Sequence, residues 1–117
     1  MNRRMFLAKN LDRMIEELGR IVAIPSVLDS GSAGAGRPFG RDVGLALETF
    51  LTLADQMGMD TVNYDGYAGE VTLGHGEHMV GILCHIDVVA AGRGWNTPPF
   101  QLIRKDDALY GRGSSDD

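Results

Sequence analysis

Two short segments of this chain carry residue types that could do metal chemistry together: Cys84-His85-Ile86-Asp87-Val88-Val89 and Gly111-Arg112-Gly113-Ser114-Ser115-Asp116-Asp117. Side chains along an extended strand alternate with a period of two, so His85 and Asp87 would project from the same side of the pleat. A neutral imidazole suits zinc, and a carboxylate two residues on can accept the other ring proton and fix the tautomer. Alone, a histidine ending an apolar strand is more often a capped structural residue. Asp116 follows His85 by 31 positions, after a glycine-bracketed turn, and that separation allows one intervening hairpin to return its carboxylate to the imidazole. With two oxygens, such a carboxylate could bridge two ions.

Elements that would position these residues are legible in the hydrophobic periodicity. Leu7, Leu11, Met14, Ile15, Leu18 and Val22 recur at three and four residues with charges between them, which predicts an amphipathic helix over 6–22. Pro25 stops it, and the Gly-, Ser- and Ala-rich stretch 26–40 reads as a mobile loop too short to separate domains. Val43, Ala46, Leu47, Phe50, Leu51, Ala54 and Met57 predict a second helix over 41–57, with Gly58 as its stop. Strands over 61–64 and 70–73 are expected to form a hairpin around Asp65-Gly66, a turn dipeptide. Met79 to Val89 is apolar on both faces, as a central strand covered on both sides would be. Segments 100–103 and 108–110 flank Lys105-Asp106-Asp107 as one more hairpin. The element order predicts an α/β fold, a mixed sheet flanked by helices.

Length and composition bound the possibilities. The 117 residues fit one small domain that buries roughly 60 to 70% of its unfolded surface. A hydrophobic content of 44% and a charged content of 23% describe an ordinary globular chain. The net charge of −5, with its 11 basic residues dispersed, provides no electropositive stripe for nucleic acid. No apolar run is long enough for a membrane span. The twin arginine at Arg3-Arg4 is not followed by the uncharged stretch of an export signal, because Asp12, Arg13, Glu16 and Glu17 interrupt it. The single cysteine, Cys84, excludes an internal disulfide and fits a small buried hydrophobe in a cytoplasmic protein.

Several further residues have competing interpretations. His75 and His78 sit in a polar glycine-rich turn and are expected to be solvated rather than a metal pair. Trp95, beside Pro98, Pro99 and Phe100, is expected to pack a loop rather than line a pocket. Arg112 could cradle an anionic substrate or salt-bridge to a nearby acid. The methionines fall mainly on the helical apolar faces, as core filler.

Taken in order, Ile24-Pro25-Ser26-Val27, Pro38-Phe39-Gly40, Tyr67-Ala68-Gly69, Gly81 to Val89, Gly92-Arg93-Gly94-Trp95, Pro99-Phe100 and Leu109 to Gly113 resemble a co-catalytic zinc exopeptidase family of carboxypeptidases, aminoacylases and dipeptidases. Within it the chain is most similar to the PepV-like, or Xaa-His, dipeptidases. The resemblance implies that residues 1–117 are the N-terminal part of a metallopeptidase catalytic domain, with the remaining ligands and the lid domain absent. It implies His85 and Asp116 as metal ligands, Asp116 bridging two zinc ions as the first position after Gly-Arg-Gly-x-x. Asp87 would be the catalytic-site carboxylate that orients His85. Ala90 stands where the pattern usually has proline.

By the same resemblance, a complete enzyme would hydrolyse dipeptides or short peptides through a metal-bridged water, with zinc as cofactor and a glutamate outside this segment as general base. A related N-acyl amino acid hydrolase or carboxypeptidase is the sibling reading. The segment alone is expected to be inactive and to hold zinc weakly, since two or three donors bind it poorly compared with four. The rival from another class is a non-catalytic binding module. An incomplete sheet would expose an unpaired edge and favour self-association.

Overall fold

The computed structural model describes residues 2–116 as two helices and two small antiparallel sheets. Helix α1 (Arg3–Val22) opens on Asn2, whose side-chain oxygen accepts a hydrogen bond from the Met5 amide at 3.0 Å and satisfies one of the orphan donors of the first turn. It starts earlier than its apolar periodicity because this cap precedes the first apolar position. Helix α2 (Arg41–Gln56) ends where the Met59 and Gly58 amides fold back onto the carbonyls of Ala54 and Asp55, with Gly58 left-handed as a helix stop requires.

Strands β1 (Asp60–Tyr64) and β2 (Ala68–Thr72) pair antiparallel from Asp60↔Thr72 to Tyr64↔Ala68. Asp65 and Gly66 both have positive φ, the primed-turn geometry that matches strand twist. Strands β3 (Ile103–Lys105) and β4 (Ala108–Tyr110) form a second hairpin.

The core is an α2 core. Val43, Ala46, Leu47, Leu51, Leu53 and Ala54 are buried, joined by Val22 from the last turn of α1. Leu47 and Leu51 lie so close over β2 that a Cβ on Gly69 would sit 2.8 and 3.0 Å from them. Much of the apolar stripe of α1, including Leu7, Leu11 and Met14, is exposed. An ion pair from Arg104 to Asp12 at 3.1 Å links α1 to β3, and its exposure limits it to about 1 kcal/mol or less.

Three expectations are corrected. No mixed sheet forms among the described residues; each sheet is a two-stranded antiparallel hairpin. The segment expected as the central strand, Met79 to Val89, forms neither strand nor helix, and Met79, Val80, Ile82 and Leu83 are between 89% and 98% exposed. Cys84, expected to be buried, is exposed with it.

The loop after α1 is more organised than its composition suggested. Asp29 accepts hydrogen bonds from the Gly31 amide and the Ser32 hydroxyl, while its own amide donates to the Phe39 carbonyl. The Ser32 hydroxyl first, and the Gly31 amide second, hold the Asp29 carboxyl below the ordinary carboxylate range.

Candidate functional site

The His85-Ile86-Asp87 segment is held by one buried residue. Ser26, only 2% exposed, donates from its hydroxyl to the Ile86 carbonyl at 3.0 Å, and the Val88 amide donates back to the Ser26 carbonyl at 3.0 Å. Pro25 lies just past the end of α1, where the helix cannot continue, and two tight turns, Ser26 amide to Ile24 carbonyl at 2.8 Å and Val27 amide to Pro25 carbonyl at 2.7 Å, set Ser26. Spacing alone marks Ser26 only as the start of a loop, although it also stands in the Ile24-Pro25-Ser26-Val27 stretch that carries the family resemblance. Its role depends on a partner 60 residues away, which local spacing cannot report.

His85 and Asp87 meet as expected, although the nearer contact is to the backbone. The imidazole Nδ1 lies 2.9 Å from the Asp87 carbonyl oxygen and 3.5 Å from its carboxylate Oδ1. Both acceptors favour the proton on Nδ1, which places the ring lone pair on Nε2, the nitrogen then suited to a metal. Both side chains are about half exposed.

The Gly-Arg-Gly turn carries Asp116 into the same space. Gly113 has φ +79°, and a Cβ there would come 2.8 Å from Val88 Cγ1, so glycine is needed for conformation and for contact with the residue after Asp87. His85, Asp87, Arg112 and Asp116 share the lining of a cavity of about 750 Å³ whose remaining wall is mainly apolar, from α1, α2 and the β1–β2 hairpin. Asp117 lies outside the described residues. Among the described residues no group of three or more His, Cys, Asp or Glu side chains is gathered closely enough to hold a metal ion. The donor types therefore fit zinc while their number fits only part of a site.

Trp95 packs a loop, as expected, and Arg112 takes a role other than the two weighed from sequence. The Trp95 indole donates to the Ala91 carbonyl at 2.7 Å, and Arg112 Nη2 donates to the same oxygen at 3.1 Å. The guanidinium carbon stands 5.2 Å from the Trp95 ring centroid, within cation–π range. His75 and His78 are exposed in a segment without helix or strand.

The chain is 37% identical over its whole length to a Bacillus subtilis protein named "Putative dipeptidase YtjP". It is 41% identical over 91% of its length to a Staphylococcus epidermidis protein named "Putative dipeptidase". With the Beta-Ala-Xaa dipeptidase of Lactobacillus delbrueckii subsp. lactis it shares 40% identity over 91% of its length. The chain spans about a quarter of the length of each of these relatives, between 23% and 25%. No family model matches. Among the described residues no helix is long and apolar enough to cross a membrane.

Proposed function

We propose that residues 1–117 form the N-terminal part of the catalytic domain of a zinc-dependent dipeptidase of the PepV-like type, acting on dipeptides or short peptides in the cytoplasm. The carrying observation is the pairing of His85 with Asp87 on the wall of the cavity that Asp116 also lines, in a chain similar to dipeptidases along nearly all of its length.

In this reading His85, through Nε2, and the Asp116 carboxylate are the residues of this segment that would hold zinc. Zinc, when bound, supplies Lewis-acid polarisation of the scissile carbonyl and a water that is nucleophilic near neutral pH. Asp87 would act on His85: as acceptor for the Nδ1 N–H, through its carbonyl at 2.9 Å with its carboxylate at 3.5 Å, it would hold the ring in the tautomer that presents Nε2. Ser26 fixes the main chain between the two. The remaining ligands and the general base come from sequence outside this segment, so the isolated chain is inactive and binds zinc weakly.

The test is a chimera in which residues 1–117 replace the matching quarter of the Lactobacillus Beta-Ala-Xaa dipeptidase. Dipeptide hydrolysis should appear, disappear on chelation and return with zinc. His85→Ala and Asp116→Ala should each lower kcat by about a thousandfold or more, whereas Asp87→Ala should weaken metal retention by about 10- to 100-fold. An active chimera indifferent to both His85→Ala and chelation would refute the assignment. Should the chimera not fold, a cobalt titration of the isolated chain still decides: a weak complex lost in His85→Ala supports it, and unchanged binding overturns it.

A further inference from the structure

The turn that carries Asp116 must be held against the segment that carries His85, and no ladder does so. What crosses between them is a three-residue clamp. Ala91 lies four residues after Asp87, and its carbonyl accepts from Trp95 Nε1 at 2.7 Å and from Arg112 Nη2 at 3.1 Å. Arg112 also stacks on Trp95, with 5.2 Å from guanidinium carbon to ring centroid, and its amide donates to the Pro99 carbonyl at 2.7 Å. Arg112 Nε is buried with no hydrogen-bond partner among the described residues, so the contacts that hold the planar group there are the stacking on Trp95 and the single fork arm to Ala91. A guanidinium can stack and donate in its own plane at the same time, and an ammonium cannot do both with this geometry.

From this arrangement we infer that Arg112 is a positioning residue, which sets Asp116 relative to His85 by gripping Trp95 and the Ala91 carbonyl. The inference rests on the proposed metal site for its consequence, but its geometry can be measured without metal.

Cys84 is the only cysteine and is exposed, so a nitroxide attached there stands next to His85 and reports how close the amides of 114–116 come. In the full 117-residue chain, strong relaxation enhancement is expected at those amides. Arg112→Ala should reduce it by about threefold or more through local opening, while amides of the β1–β2 hairpin keep their values. Arg112→Lys should recover part of the enhancement, and Trp95→Phe, which keeps the ring face but loses the indole donor, should fall between. If Arg112→Ala lowers the melting temperature but leaves the enhancement at 114–116 unchanged, Arg112 is structural only and the inference fails. Should Arg112→Ala not fold, equal enhancement in Arg112→Lys, Trp95→Phe and the parent chain overturns it as well. Zinc titration of the same samples separates the two ideas: no zinc binding in the parent chain or any variant, with enhancement lost in Arg112→Ala, retains the clamp and counts against the metal site.

Discussion

Residues 2–72 and residues 73–102 are built on opposite terms. The first region holds both helices and the longer hairpin, and every buried apolar side chain among the described residues lies on α1 or α2. The second holds no helix or strand and no buried residue, yet it carries His85 and Asp87. Packing in the first region follows from caps, turns and helical stripes that lie close together in sequence. The chemistry-bearing segment is apolar enough to need two covering layers, and it is held by the Ser26 pair and the Trp95–Arg112 clamp. The difference teaches that a segment can carry ligand residues in good local geometry while its own burial is left to partners that no local pattern specifies.

The largest expected effect sets the two regions directly against each other. Leu51 is buried over Gly69, so Leu51→Ala should cost about 2–4 kcal/mol through lost transfer energy and the cavity left behind. Leu83, with the same side chain, is 98% exposed, and Leu83→Ala should lie within about 0.5 kcal/mol of the parent. Urea unfolding of both variants measures this. Equal destabilisation would show that the 79–84 segment is packed in solution, and the contrast would collapse.

Ser26→Ala probes the junction between the regions. The Ile86 carbonyl would lose its donor beside a buried site, a cost of about 1–3 kcal/mol. The loss should be local: the Val88 amide, which donates to the Ser26 carbonyl, should exchange faster, while amides within α2 keep their protection. Uniform loss of protection along α2 would instead make Ser26 part of the helical core.

Legibility in the sequence follows the same divide. Both helices, the Asp65-Gly66 hairpin and the hairpin around Asp106-Asp107 could be read because their determinants lie within a few residues: a 3.6-residue stripe, a positive-φ dipeptide, a glycine stop. The His85–Asp87 contact was also legible, since the two residues are only two positions apart. The burial of Met79 to Cys84 was misread because periodicity reports what a segment prefers to contact and does not name the contact. Ser26 and the Arg112–Trp95 clamp could not be derived from spacing at all, because each depends on pairings across long sequence separations.

The smallest effect belongs to the β1–β2 hairpin and can serve as an internal reporter. Tyr64 donates its phenol proton to Glu70 Oε2 at 2.8 Å across the strands. The hydrogen bond first, and the carboxylate charge second, push the phenol pKa above its ordinary 10.0. Because the folded value is raised, the neutral phenol is favoured by folding; this contribution is complete below the unfolded value and is lost as pH rises through the folded one. Tyrosinate absorbance should therefore show one of the three tyrosines ionising above the free value, and Glu70→Gln should move it back toward 10.0. A normal titration in the parent chain would mean that the cross-strand pair does not form. Under alkaline conditions just above 10.0, Leu51→Ala should bring this tyrosine's ionisation down by unfolding the hairpin's support, whereas Leu83→Ala should leave it in place. That pair of titrations tests whether the hairpin belongs energetically to α2 or to the exposed segment that follows it.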